Sequence, residues 1–405
     1  MMEMPVDKST YVTEQLSLMV GHPVQPDDAM IDRFWYALSR EEERAAYCDA
    51  HGNFPAHLSV FHRMGLLEEP PLHADILTLC EQCPAVPPRW PDGRRFAVCL
   101  THDVDRIVKL PWRERWRQWQ AIGHTAGLLP SARWLLSGTA FAGGTMLGLS
   151  DLRPFDQWMD EEARFGFHST FFVLPERLEQ PTVHDHFYRH ADRVRFRGHA
   201  MPFAAAVRET VDAGWEIGLH GSYASAYNAI FLRDERAQIE AISGKPVRAV
   251  RQHFLRFSVD ATPRAQAQAG LEVDSTLGFS STIGCRAGLA FPYFWPGLDL
   301  LEVPLSIQDV GLLRHHGRHG NWHTAVERAR ALIMQVAAAG GVVTLSWHTH
   351  PESSGAAPCY RRLLQLVADL GGWGCTLGEL NSWWRQRRAR LQDRRSDEVE
   401  DTPGK

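Results

Sequence analysis

The sequence predicts an α/β fold in which parallel strands, joined by helical crossovers, form a closed or nearly closed barrel. Continuous apolar runs, typical of strands buried on both faces, occur at residues 96–101 and 342–347. Between them, helical and strand-like stretches alternate, as in parallel sheets. No Gly-x-Gly-x-x-Gly turn follows the first strand, which favours a barrel over an open dinucleotide-binding sheet.

The elements that support this prediction follow one another in a regular order. Strands are predicted over residues 168–174, 215–219, 247–250 and 271–275, and helices over residues 155–164, 204–213, 232–243, 261–269, 323–338 and 360–369. Gly166 and Gly214 each separate a predicted helix from the next strand, which is where helix C-terminal glycines are expected.

Three parts of the chain differ in composition. Residues 1–92 are polar with helical periodicity and end in a Pro-rich run, which predicts an N-terminal helical appendage and linker. Residues 93–382 carry the barrel, with a helical insertion at 106–150 that we place near the mouth of the site. Residues 383–405 contain six arginines between 385 and 395 and then turn acidic, which predicts a solvated, charged helix that frays into disorder; a local contact with an anion or a membrane surface is the alternative.

Composition and charge exclude several classes of function. The 405 residues carry a net charge of −5, so no overall positive field attracts a nucleic-acid backbone. The first residues lack the order of a signal peptide, and no apolar run reaches the roughly 18 residues that span a bilayer. The seven cysteines are scattered and odd in number, which indicates reduced thiols. We therefore expect a cytoplasmic protein without stable membrane insertion.

The first predicted strand ends in two carboxylates, Asp103 and Asp105. Side chains two residues apart in an extended chain point to the same side, so the two carboxylates share one small space. A divalent cation would relieve their repulsion by binding one of them and leaving the other free to act as a base. The alternative is structural, because aspartates after a strand often cap the following helix.

Three further strands also end in ionisable residues. His220 ends one strand; a lone histidine is more often structural, but catalytic groups collect at the C-terminal ends of parallel strands. Arg251 could hold a carboxylate through two hydrogen bonds, and His253 lies two residues further on. His348 and His350 follow the last apolar strand and share a side, so one of them could be a general acid.

One shared site explains ionisable residues at four strand ends better than packing alone does. In a metal hydrolase a cation polarises a carbonyl group and its water, a carboxylate takes the proton of the water, and an imidazole protonates the leaving nitrogen. The residue types at the four ends match these parts. The pattern therefore predicts a metal-dependent hydrolase.

These segments, in this order, resemble the polysaccharide deacetylase family, also called the NodB-homology or carbohydrate esterase 4 family, over roughly residues 94–380. The resemblance implies a distorted (β/α) barrel of about seven strands with zinc or another divalent metal. It implies that Asp103 is the base and Asp105 a metal ligand. It further implies that His220 binds the metal, Arg251 orients the base and His348 is the general acid. Residues 274–279 and 302–305 resemble family segments that line the site.

One position departs from the family pattern. The second motif usually has two histidines four residues apart, and position 224 is alanine here. His253 is our first candidate for the third metal ligand, and Ser222 or Ser225 could also serve through an oxygen or a bridging water. The sequence His-Gly-Ser-Tyr-x-Ser at 220–225 resembles a branch associated with bacterial surface-polysaccharide synthesis.

The leading hypothesis is hydrolysis of an N-acyl group, in particular N-acetyl, from an amino sugar or a polysaccharide precursor. One alternative is hydrolysis of another non-peptide C–N bond, such as a cyclic amide or ureide, because the barrel and metal do not fix the substrate. Another is a catalytically silent carbohydrate-binding protein. The sequence leaves open the sugar, the metal, the oligomeric state and the role of residues 1–92.

Overall fold

A computed structural model describes residues 6–44, 46–83, 89–107, 153–182, 184–185, 188–314, 322–349 and 355–400. The insertion predicted over 106–150 lies outside the described residues from residue 108 onward, and so does His350. No helix in the described ranges combines the length and apolar character that crossing a membrane requires.

The described chain contains one large sheet and one small hairpin. Its strands are β1 Ala97–Val104, β2 Thr170–Val173, β3 Arg193–Phe196, β4 His199–Pro202, β5 Glu216–Gly221, β6 Ala249–Gln252, β7 Val273–Asp274, β8 Tyr293–Phe294, β9 Leu301–Glu302, β10 Ile307–Gln308, β11 Val342–Ser346 and β12 Trp373–Cys375. The large sheet has the order β10-β11-β1-β2-β5-β6-β7-β9-β8, β12 pairs with the start of β1, and β3 and β4 form the hairpin.

The large sheet is mostly parallel and curls into a barrel. Only β8 runs antiparallel to its neighbour in the part of the sheet that is described. The segment that carries β9 and β10 pairs with β7 at its start and with β11 at its end, so it joins the two edges of the sheet. The prediction of a distorted (β/α) barrel is confirmed.

Helices surround the sheet. They are α1 Lys8–Val20, α2 Asp28–Leu38, α3 Glu41–Arg44, α4 Val60–Arg63, α5 His73–Glu81, α6 Asp156–Ala163, α7 Phe203–Asp212, α8 Ala229–Ser243, α9 Thr262–Gln268, α10 Asp309–Leu313, α11 Trp322–Ala339, α12 Ala356–Asp369 and α13 Leu377–Glu400. Five of them, α1 to α5, lie within the first 92 residues, where a helical appendage was predicted.

The apolar run of β1 is continuous because both of its faces are buried. Val98 and Leu100 pack into one cluster with the helices outside the barrel, whereas Ala97 and Cys99 pack into a second cluster that includes the N-terminal helices. The polar side chains of β1 begin at Thr101. Ionisable groups of this strand therefore lie only at its C-terminal end.

The start of the C-terminal segment is packed rather than frayed, which corrects the expectation of disorder for residues 383–393. These residues continue α13, and the Trp384 side chain is fully buried there. Arg387 donates from Nε to the carbonyl of Leu18 at 2.7 Å, at the end of α1. Arg388 pairs with Glu14. A count of arginines predicts solvation, but arginine stems can pack while the guanidinium groups find partners.

Candidate metal and catalytic site

A cleft of about 880 Å³ opens at the C-terminal ends of the strands. Five of the six predicted site residues line it: Asp103, Asp105, His220, His253 and His348. Arg251, the sixth, is fully buried and contacts Asp103 from behind. The structure therefore brings together these six side chains from the four strand ends.

Asp105, His220 and His253 converge on one point. Oδ1 of Asp105 lies 3.2 Å from Nε2 of His220 and 3.6 Å from Nδ1 of His253. The two imidazole nitrogens are 3.2 Å apart, and all three candidate ligand atoms lie within 4.8 Å of one another. Each residue is buried. Such a set can hold a metal ion.

The hydrogen bonds of the two imidazoles fix which nitrogen faces the cluster as an acceptor. Nδ1 of His220 lies 2.9 Å from the carbonyl oxygen of Arg251, and Nε2 of His253 lies 3.0 Å from that of His184. A carbonyl only accepts, so these outer nitrogens carry the protons in the neutral rings. The inner nitrogens then present lone pairs to each other and to Asp105. Histidine ligands of metals are oriented in this way.

The carboxylate at the cluster lacks a hydrogen-bond donor when both imidazoles are neutral. Oδ1 of Asp105 is buried and then accepts no hydrogen bond from the described residues, whereas a protonated His220 would donate to it from Nε2, 3.2 Å away. Burial opposes a charged imidazole, yet Asp103 and Asp105 raise the pKa of His220 above its ordinary value. Oδ1 of Asp105 and the inner nitrogens of His220 and His253 face one another in a site that favours positive charge. This arrangement suits a divalent cation.

Asp103 stands beside this cluster and is held ionised. Its Oδ1 accepts a hydrogen bond from Nη1 of Arg251 at 3.0 Å, and the hydroxyl of Ser346 is 3.4 Å from Oδ2. Burial alone would raise the pKa of Asp103, but Arg251, with His220 and His348, holds the pKa below its ordinary value. Asp103 is therefore available as a proton acceptor.

Arg251 is fixed by contacts on all sides. Nη1 also donates to Thr101 and Ser346, and the remaining nitrogens donate to Ser275. Its Cζ lies 4.7 Å from the centre of the Phe172 ring. Glycine at position 218 leaves room for that ring, because a Cβ there would meet it at 2.7 Å.

His348 faces the cluster from the opposite side. Its Nδ1 donates to Oδ1 of Asp309 at 2.7 Å, and its Nε2 lies 3.6 Å from Oδ2 of Asp105. Burial lowers the pKa of His348, but Asp309, with Asp105 and Asp103, raises it to about 10. The ring is therefore protonated at neutral pH and directs a proton toward the site.

Two groups at the site were not predicted from the sequence. Asp309 follows β10, a strand of two residues without an apolar run, so no strand-end signal marked it. The N-terminal segment contributes His51, Asn53 and His57 to the cleft wall. For this segment the sequence is equally compatible with a cover on the substrate side and with a docking surface, and it does not predict which residues reach the cleft.

The serines of the 220–225 motif serve the loop rather than the cluster. Ser222 donates from Oγ to Glu235 at 2.5 Å, and Ser225 donates to the carbonyl of Ser222 at 3.0 Å. Of the candidates for the third ligand, only His253 joins the group formed with Asp105 and His220.

The two segments expected to line the site do so only in part. Gly278 and Phe279 line the cleft. Asp274 and Glu302 are fully buried and do not belong to its described lining. They face each other across β7 and β9.

No protein-family model matches the chain, and no curated protein matches it. Among solved structures, a polysaccharide deacetylase described as putative, from Mycobacterium smegmatis, is 20% identical, with 76% of this chain and 96% of that chain covered and a TM-score of 0.46. The PuuE allantoinase is 13% identical, with 75% and 95% covered and a TM-score of 0.48. The peptidoglycan deacetylase PdaC from Bacillus subtilis is 14% identical, with 74% and 96% covered and a TM-score of 0.36. At these scores the likenesses establish neither the family nor the activity of this chain.

Proposed function

We propose that this protein is a metal-dependent hydrolase that removes an N-acetyl group from an amino sugar or a sugar-linked precursor. The observation that carries the proposal is the set of three acceptor atoms on Asp105, His220 and His253, beside an ionised Asp103. The strand-end motifs resemble those of the polysaccharide deacetylases, and the arrangement of the side chains agrees with the roles which that resemblance implies.

Each side chain has a defined task in this proposal. A divalent cation held by Asp105, His220 and His253 would polarise the acyl carbonyl and lower the pKa of a water at the site. Asp103 accepts the proton of the attacking water, and Arg251 keeps the Asp103 carboxylate ionised before that step. His348 donates a proton from Nε2 to the leaving nitrogen. Asp309 holds the imidazolium in place.

The metal we propose is zinc. Two imidazoles and one carboxylate form a ligand set that catalytic zinc sites use, with a further position left for water or substrate.

All seven cysteines are free thiols, and none belongs to the cluster. We place the reaction in the cytoplasm, where thiols remain reduced.

The experiment is acetate release by the zinc-loaded protein from a panel of N-acetylated mono- and oligosaccharides. Asp103→Asn should lower the rate by about 100- to 10,000-fold, the usual range for loss of a general base, while the bound zinc is retained. Small cyclic amides belong in the same panel, since their hydrolysis in place of acetate release would reassign the substrate. Absence of bound metal, together with saccharide binding that survives chelation, would instead indicate a silent binding protein.

A further inference from the structure

The backbone immediately after His253 adopts a conformation that needs external support. Phe254 has a φ of 61° and Leu255 a φ of 50°, so two consecutive residues with side chains lie in the left-handed region. Such a conformation is strained for a residue with a Cβ and persists only when its surroundings hold it. This turn sets the position of the His253 main chain, and therefore of its imidazole.

A side chain of the N-terminal appendage binds this turn on both sides. Asn53 donates from Nδ2 to the carbonyl of Phe254 at 3.0 Å, and its Oδ1 accepts from the amide of Phe257, also at 3.0 Å. Asn53 is buried and is itself fixed, because Oδ1 of Asp49 accepts from its main-chain amide at 2.9 Å. Nε of Arg256 adds a hydrogen bond to the carbonyl of His51 at 3.1 Å.

The same segment also packs near the group that orients the His253 ring. Nε2 of His253 donates to the carbonyl of His184, and the His184 ring lies 5.1 Å from the ring of His51. The His51 ring is also 4.8 Å from that of Phe254. Residues 49–53 therefore contact both the turn and the residue that accepts the hydrogen bond of the ligand.

We propose that Asn53 is a positioning residue of the metal site: by holding the left-handed turn at Phe254 and Leu255, it directs Nδ1 of His253 toward the cation. This inference rests on the proposed function in one respect, namely that His253 is a metal ligand. It assigns a role in the catalytic machinery to the N-terminal appendage, which lies about 200 residues away in sequence from the turn it binds.

The test is zinc affinity, measured by competition with a chelating dye, together with the visible absorption spectrum of the cobalt-loaded protein. Asn53→Ala should weaken zinc binding by about 10- to 100-fold, as removal of groups that orient metal ligands does. The cobalt spectrum should change because the geometry of the ligands changes. Asn53→Asp keeps the acceptor for Phe257 but loses the donor to Phe254, and it should show the same changes if support of the Phe254 carbonyl is what matters.

Asn381→Ala is the matched control. Asn381 is also buried. Its Nδ2 donates a hydrogen bond to Glu272, and its Oδ1 accepts one from Nε of Arg385 on α13. Its removal should lower stability but leave zinc affinity and the cobalt spectrum unchanged.

If both Asn53 variants bind zinc as the wild type does, or if Asn381→Ala weakens zinc binding equally, the positioning role is refuted. If Asn53→Ala does not fold, Asn53→Asp decides the question alone. If the wild type binds zinc but releases no acetate, the reaction fails and the positioning role stands.

Discussion

Two pairs of buried carboxyl groups lie in this barrel, and their surroundings differ. Asp103 and Asp105 lie at the C-terminal end of β1, among Arg251 and three histidines. Asp274 and Glu302 lie opposite each other on β7 and β9, and neither forms an ion pair with a cationic side chain of the described residues. Both pairs are almost completely withdrawn from solvent.

The pKa values of the two pairs shift in opposite directions. Burial opposes ionisation of Asp105, but its neighbours outweigh burial and its pKa lies well below the ordinary value. Burial raises the pKa of Asp274 to about 6, and burial together with Asp274 raises that of Glu302 well above its ordinary value. In the second pair, Oδ1 of Asp274 accepts from Thr276 and Oε2 of Glu302 accepts from Trp295, whereas Oδ2 of Asp274 and Oε1 of Glu302 have no other donor among the described residues. A proton held between the two carboxyl groups would satisfy these oxygens, in accord with the raised pKa values.

The comparison distinguishes the carboxylate pair of the proposed site from a second buried pair that is not part of the described cleft lining. Two carboxyl groups that hold one proton between them carry a single negative charge, so they repel each other less than two ionised carboxylates do and can lie together without a neighbouring cation. The pair on β1 instead has lowered pKa values, because Arg251 and the neighbouring histidines stabilise the charged carboxylates. A lowered pKa in the cleft, rather than burial or the number of carboxylates, therefore distinguishes the pair of the proposed site.

The largest effect on stability should come from Arg251→Met, which leaves Asp103 buried without its counter-ion. Breaking a buried ion pair from one side costs about 3–5 kcal/mol of the free energy of unfolding. Chemical denaturation of the metal-free protein measures this loss. The double variant Asp103→Asn, Arg251→Met should recover much of it, because no uncompensated charge remains. A single variant that loses less than about 1 kcal/mol would mean that water or another group already neutralises Asp103.

Asp105→Asn should weaken zinc binding by more than about 100-fold, since even groups that only orient a ligand contribute 10- to 100-fold. Glu302→Gln is the control from the other pair and should bind zinc as the wild type does. Calorimetric titration or dye competition measures both. Equal affinities of Asp105→Asn and the wild type would remove Asp105 from the metal site and with it the distinction between the pairs.

The sequence predicted the reactive pair because its signal is local. Period-two alternation at the end of an apolar strand placed Asp103 and Asp105 on one side, and the same reasoning at other strands found His220, Arg251 and His348. His253 was a candidate for the same reason, although the structure places it in a turn just beyond β6.

What the sequence did not reveal depends on contacts between distant segments. Asp309 lies beside His348 because β10 pairs with β11, and a strand of two residues leaves no readable pattern. Asn53 reaches Phe254 through packing of the N-terminal appendage, which no periodicity encodes. Asp274 and Glu302 were expected to line the site because their segments resemble family segments, and the sequence does not reveal that burial raises the pKa of both carboxyl groups.

The smallest effect should come from Glu302→Gln, and it depends on pH. The folded-state pKa values of Asp274 and Glu302 are raised, so the folded protein keeps a proton that the unfolded chain has lost. The stabilisation from this pair is complete below the unfolded pKa values and falls as pH rises toward and beyond about 6, the folded-state pKa of Asp274.

Glu302→Gln supplies a permanent donor to Asp274 and should remove on the order of 2 kcal/mol of this pH dependence between about pH 5 and pH 8. Denaturation of the metal-free protein across that range measures it. An unchanged slope in Glu302→Gln would show that the two carboxyl groups on β7 and β9 do not share a proton.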